Sequence, residues 1–253
     1  MAQIINGKIY GKCGDDSYFV QNGKQMKRKA HNKPNKRKSK AQFKRMMQFQ
    51  TKVQLWTVMR QMEELFFEGG QTSAHRQFIA ANNTLKGVYL PKYMIDNRTA
   101  LLQPGIVVSD GPLPSFDYQL GELDGQPALL TTLAEADAHE GRLLLYVFHQ
   151  EEKRGIPFVK AKVTDLSQPT DEVNLTTLDG SLALTGKQFG DPMNGFALVH
   201  IVKGHTSRQS LVTSCTQYEQ YTTEEALLAS ANSYGKVINQ GFEWVVTIRK
   251  NRT

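Results

Sequence analysis

From Gly105 to Val212 the chain is cut into short apolar runs separated by Gly, Pro, Asn and Asp, and this texture limits the fold more than any other feature. The runs are Ile106-Val107-Val108, Leu143 to Phe148, Phe158 to Val163, Val173 to Leu175, Leu182 to Leu184, Phe196 to Val202 and Leu211-Val212. A recurrence of roughly 8–15 residues is the signature of an antiparallel sandwich or barrel. Phe196 to Val202 is nearly unbroken and suits a central strand. Phe242, Trp244, Val246 and Ile248 alternate with Glu243, Thr247 and Arg249 and predict a last, half-buried strand. Before it, Thr222-Thr223-Glu224-Glu225 starts a short helix through Ala231, with acids where the helix dipole favours them.

The first third reads differently. Ile9-Tyr10 and Tyr18-Phe19-Val20 are β-prone, and Asn22-Gly23 is a two-residue turn signal, so residues 8–29 form a hairpin. That unit is too small to stand alone and needs a surface to lean on. Residues 30–38 are a polar, basic linker in which Pro34 blocks helix. Ser39 is an N-cap, and the helix it opens runs to about Phe67, where Gly69-Gly70 stops it. Phe43, Met46, Met47, Val53, Trp56, Met59, Met62 and Phe66 form its apolar stripe, and Lys40, Lys44, Arg45, Lys52 and Arg60 fall largely off it. The methionines read as core packing, with a partner-binding stripe as the alternative. Ser73 caps a second helix to about Asn83, and residues 84–105, with Pro91 and Pro104, are irregular.

Charge is distributed very unevenly. From Ser17 to Met62 there is no Asp or Glu, and thirteen Lys and Arg crowd the same stretch. Residues 1–16 balance, so a net charge of +7 leaves residues 63–253 at −6. Such a cationic pole on an acidic body points to a polyanionic partner or to an arm that docks on acidic protein. Lys24, Lys27, Arg28, Lys29, Lys33, Lys36, Arg37, Lys38, Lys40, Lys44 and Arg45 are the candidate phosphate contacts, with Tyr18, Phe19, Asn32, Asn35, Gln42 and Gln48 interleaved. Nothing in that spacing is a base-readout pattern, so binding would tolerate any sequence. The first helical turn carries cations against the dipole, a penalty that a bound anion would remove.

Catalytic patterns are missing from the sequence: no GxSxG, Walker A loop, GxGxxG after a strand, HExxH or EF-hand loop. None of the six histidines pairs at metal-ligand spacing, and His200, inside an apolar run, reads as a core residue. Cys13 and Cys215 are far apart and read as free thiols, with neither a zinc site nor a disulfide framework. The acidic pairs Asp15-Asp16, Glu151-Glu152, Asp171-Glu172 and Glu224-Glu225 fall in turns or at a helix start. No apolar run approaches the roughly 18 residues of a membrane span, and the N-terminus has no basic and apolar secretory pattern. The expectation is a chain that stays in the cytoplasm, or in a virion if phage-encoded.

Gly7, Gly11, Gly14 and Gly23 leading to Arg28, then Ser39-Lys40-Ala41-Gln42 with Phe49 seven residues on, then Ser214-Cys215-Thr216-Gln217-Tyr218, form a series. It resembles an uncharacterised family found widely in Bacteroidota, whose members carry a Gly-rich basic start, a T-x-A-Q helix start and a late S-x-S-x-Y strand. The Asn-Pro usual before that helix is absent here, and the family's helix Arg falls at Met46, one place past Arg45. The resemblance implies a β-sandwich body with no assigned activity and no catalytic residues. The family's presence in gut bacteria and their mobile elements makes a phage-related role one of its implications.

The sequence therefore predicts an α+β protein: a basic hairpin and arm over 1–38, a helical segment over 39–83, and a β-sandwich-like domain of about seven strands over 84–253. The expected function is non-enzymatic, without metal or cofactor: a binding or scaffold protein whose arm contacts DNA or RNA backbone. The alternative is a structural subunit of a multi-protein assembly, such as a phage particle, in which the arm grips an acidic protein surface or another copy.

Overall fold

A computed structural model describes residues 3–13, 16–29, 39–60, 67 and 73–234. The chain divides into two compact units, Met1–Lys38 and Ser39–Thr253.

The first unit is an antiparallel meander of four strands in sequence order: β1 (Gln3–Ile5), β2 (Lys8–Cys13), β3 (Asp16–Gln21) and β4 (Lys24–Lys29). The hairpin expected at Asn22-Gly23 is present, with φ of 50° and 74°. Asn6-Gly7 repeats the device, at 50° and 71°, and adds β1. Both turns need positive φ at both central residues, which Asn tolerates and Gly takes freely. The Gln25 side chain completes the unit like a surrogate strand: its Oε1 accepts from the Ile9 N–H and its Nε2 donates to the Ile9 carbonyl, both at 2.9 Å.

The second unit is built around two sheets. Its elements are α1 (Lys40–Met59), α2 (Ala74–Ala81), α3 (Lys92–Asp96), β5 (Val107–Ser109), β6 (Tyr118–Leu123), β7 (Gln126–Ala134), α4 (Glu135–Ala138) and β8 (Arg142–Lys153). They continue through β9 (Ile156–Asp165), β10 (Asn174–Leu178), β11 (Ser181–Thr185), β12 (Asn194–Val202), β13 (His205–Thr206), β14 (Gln209–Ser210), β15 (Val212–Thr213) and α5 (Glu224–Ser233). One sheet has the order β10-β11-β7-β6. The other has the order β13-β12-β8-β9 with β15 also on β12, and β5 pairs with β14. The fold is α+β with a β-sandwich-like domain. Four more two-residue turns, Asp124-Gly125, Arg154-Gly155, Asp179-Gly180 and Lys203-Gly204, close its hairpins with the same pair of positive φ angles.

Alternation along β8 and β12 explains the layering. Leu143 and Leu145 on β8, with Phe196 and Leu198 on β12, meet Leu129, Leu133, Leu182 and Leu184 of the facing sheet. The intervening residues, Leu144, Tyr146, Phe148, Ala197, Val199 and Ile201, point the other way. They are covered by Leu55 and Met59 of α1, Phe78 of α2, and Leu102, Ile106 and Leu211. Strands buried on both faces are apolar at nearly every position, hence the near-continuous runs, with His200 the polar exception between Phe196 and Val202 of β12. A third cluster joins Phe43 and Met47 of α1 to Leu90, Met94, Leu101, Leu227 and Ala231. Each fully buried side chain of this size stabilises by about 1.5–3 kcal/mol.

Ser39 caps α1 as expected, and more completely: the Gln42 N–H donates to Ser39 Oγ at 3.3 Å and the Ser39 N–H donates to Gln42 Oε1 at 3.0 Å. This is a capping box, a physical reason for a Ser/Thr-x-x-Gln helix start. The helix expected to reach Phe67 closes at Met59 with Arg60 as its cap, and Phe67 forms a parallel bridge with Asp110. Met62, Phe66 and Gly69-Gly70 lie outside the described residues. Lys52, read as off the apolar stripe, is 7% exposed. The cause is that α1 serves two cores in turn. Positions four apart advance by about 40° around a helix, so the buried face drifts from Phe43 to Met59 and carries Lys52 under cover.

The hairpin β6–β7 was not read from the sequence, because Gly121 and Pro127 dilute its strand character. α3 falls within residues 84–105, which were read as irregular. The Ser214–Tyr218 motif, expected on a strand, follows β15 and turns at Gln217-Tyr218. The strand expected over Phe242–Ile248 lies outside the described residues. No helix among the described residues is long and apolar enough to cross a membrane.

Candidate nucleic-acid interface

β3 and β4 pair in the register Asp16↔Lys29, Ser17↔Arg28, Tyr18↔Lys27, Phe19↔Met26, Val20↔Gln25 and Gln21↔Lys24. Directly opposed residues share a face. One face therefore carries Phe19, Met26, Lys24 and Arg28, and the other carries Tyr18, Val20, Gln25 and Lys27.

The two faces differ in charge. On the second, Lys27 Nζ lies 2.9 Å from Asp16 Oδ2 and 5.9 Å from the centre of the Tyr18 ring. The Asp16 carboxylate, first by hydrogen bonding and then by charge, holds the Lys27 ammonium above the ordinary lysine range. On the first face the Arg28 guanidinium sits 5.6 Å from the centre of the Phe19 ring, and Met26 is 42% exposed. Lys24 and Arg28 form no ion pair with a carboxylate among the described residues. An arginine stacked on an aromatic ring beside an exposed apolar side chain is a surface on which a base can stack while cations meet phosphate.

The remaining candidates divide. Lys29 closes the β4 register opposite Asp16. Lys33, Lys36, Arg37 and Lys38 lie outside the described residues. Lys40, Lys44 and Arg45 belong to α1, in the second unit. There the Lys40 and Lys44 ammonium groups grip Glu224 of α5, at 2.5 Å and 2.9 Å. Glu224 supplies the anion that the cationic first turn of α1 calls for, and it also sits in the first turn of α5, where the dipole favours it. The two lysines, Lys40 first, hold the Glu224 carboxyl below the usual carboxylate range. Arg45 is exposed on α1.

Elsewhere several titratable groups have structural partners. His200 is buried, and its Nε2 lies 2.6 Å from the Glu140 carbonyl. His149 Nδ1 lies 2.6 Å from Asn194 Oδ1. Each displaced carboxylate among the described residues moves downward: Glu151 through its hydrogen bond to Lys160, and Asp165 because bonds from Ser167 and Arg142 outweigh the opposing effect of burial. Among the described residues no three His, Cys, Asp or Glu side chains gather as a metal site. Cys215 is a buried free thiol.

Compared with protein-family models, curated proteins and solved structures, the chain matches none.

Proposed function

We propose that this chain is a non-enzymatic binding protein whose basic N-terminal unit holds nucleic acid through the phosphate backbone without reading sequence. The observation that supports it best is the β3–β4 face, where Lys24 and Arg28, without a carboxylate partner among the described residues, share a side with Phe19 and Met26. Phosphate neutralisation supplies affinity and aromatic stacking tolerates every base. The acid-free run from Ser17 to Met62 extends the same charge along the chain.

A salt series with labelled single-stranded and duplex DNA and RNA tests this. The expected result is a log K that falls with log salt at a slope of roughly five or more phosphate contacts. The double variant Lys24→Gln/Arg28→Gln should reduce that slope by about two contacts. No binding near physiological salt, or an unchanged slope in the variant, sinks the reading.

A second reading is supported by β1. Ile4 is 75% exposed and Ile5 50% exposed, on the edge strand of a four-stranded sheet. An apolar edge strand is a surface for strand addition by another chain. A subunit of a larger, phage-like assembly would use it. Under that reading Ile4→Lys lowers the mass of the species in solution while nucleic-acid affinity holds.

A further inference from the structure

Lys52 and Thr99 line one cavity between α1 and the 85–106 segment, and the buried Thr99 hydroxyl has no hydrogen-bond partner among the described residues. Lys52 is 7% exposed and Thr99 is fully buried. Leu55, Leu90 and Ile106 form much of the apolar wall. The only other titratable lining residue is also a cation, Lys86. No carboxylate among the described residues faces the cavity.

A largely covered lysine and a buried hydroxyl both lose hydration, and the unpartnered Thr99 hydroxyl must recover it from some partner. Desolvation already presses the Lys52 ammonium below the ordinary lysine range. The cavity leaves about 30 Å³ open to the centre of a water-sized molecule, roughly two water positions by that measure. Lys52 and Thr99, with Gln48, Thr51, Gln103 and Lys86 as the other polar lining and that apolar wall, match in that much room the two oxygens and short apolar tail of a small carboxylate.

We propose that this cavity is a binding site for a small monocarboxylate of formate to acetate size, with Lys52 Nζ and the Thr99 hydroxyl as its two donors. The site is independent of the nucleic-acid reading, since it belongs to the second unit and to buried groups. Binding is selective by shape, because a spherical halide engages two donors without filling the tail end of the cavity.

The test is thermal unfolding of the full chain in acetate against chloride at equal ionic strength. Wild type in acetate at a hundredfold excess over Kd should gain at least about 5 °C in Tm over chloride. Lys52→Met should remove the gain, and Thr99→Val should weaken binding at least tenfold. Acetate should also raise the Lys52 pKa followed by side-chain NMR, a readout that does not depend on variant stability. An equal response to chloride and acetate overturns the carboxylate assignment. A gain that persists in Lys52→Met, or a Lys52 resonance untouched by acetate, overturns the site.

Discussion

The side-chain amide of Asn82 and the backbone of Val107 exchange two hydrogen bonds: the Val107 N–H donates to Asn82 Oδ1 at 2.8 Å, and Asn82 Nδ2 donates to the Val107 carbonyl at 3.0 Å. Asn82 ends α2 and Val107 begins β5, so this one side chain does for β5 what a neighbouring strand would do. Asn82 is 1% exposed. Asn82→Ala strips both partners of a buried backbone unit, and each orphaned group costs about 1–3 kcal/mol. The expected loss is about 2–4 kcal/mol in urea unfolding. A loss below about 1 kcal/mol would mean that water or a backbone shift replaces both bonds.

Glu224 is the hinge of a second prediction. Its carboxyl is held below the usual range by Lys40 and Lys44, so its contribution to stability is present above the ordinary Glu value near 4.3 and fades as pH falls through the lower folded value. All three side chains are more than a third exposed, which limits the effect to less than about 1 kcal/mol. Glu224→Gln should therefore be slightly less stable than wild type at pH 7, with the gap closing in acid. It also frees two lysines. If α1 belongs to the nucleic-acid interface, the salt slope of this variant rises. If the slope is unchanged, contact is confined to the first unit.

Glycine positions separate strain from collision. Gly125 has a φ of 74° and open space where a Cβ would stand, so Gly125→Ala meets only the left-handed penalty of about 1 kcal/mol. Gly141 has a φ of 93°, and a Cβ there would strike the Ile201 carbonyl oxygen of β12. Gly141→Ala should lose about 3 kcal/mol or more, at the far end of single-substitution effects. Comparable losses for the two variants in chemical denaturation would contradict the close approach of residue 141 to β12.

What could be read from the sequence was what repeats locally. The near-continuous runs of β8 and β12 reflect strands with a core on each face, and Ser39 with Gln42 is a local cap that needs no tertiary partner. Asn22-Gly23 was readable for the same reason, and Asp124-Gly125 carried the same signal beside strands weakened by Gly121 and Pro127. The fate of the cations was not readable. Glu224 lies 180 residues from Lys44, and only the folded chain brings them together. Lys52 was placed outside the stripe because periodicity assumes one buried face per helix, whereas α1 turns from the Phe43 cluster to the Met59 cluster along its length. Of the candidate interface, charge and aromatic content were visible in the sequence. The division into one face where Lys27 pairs with Asp16 and another where Arg28 lies over Phe19 depends on strand register.

That buried lysine yields the last prediction. Its folded pKa is lowered by desolvation, so between that value and the ordinary one near 10.4 the unfolded chain binds more protons than the folded chain. Stability must then rise with pH across that window, since its slope follows the excess of protons on the unfolded state. Lys44 and Lys27 are displaced in the opposite sense, and their contributions are lost only as pH climbs through values above the ordinary one. The two effects therefore occupy different ranges. Lys52→Met should be more stable than wild type at pH 7 and should lack the rise below pH 10, with isothermal denaturation from pH 7 to 10 as the measurement. A parallel rise in wild type and variant would show that Lys52 stays charged without penalty, and that α1 hides its stem but not its ammonium.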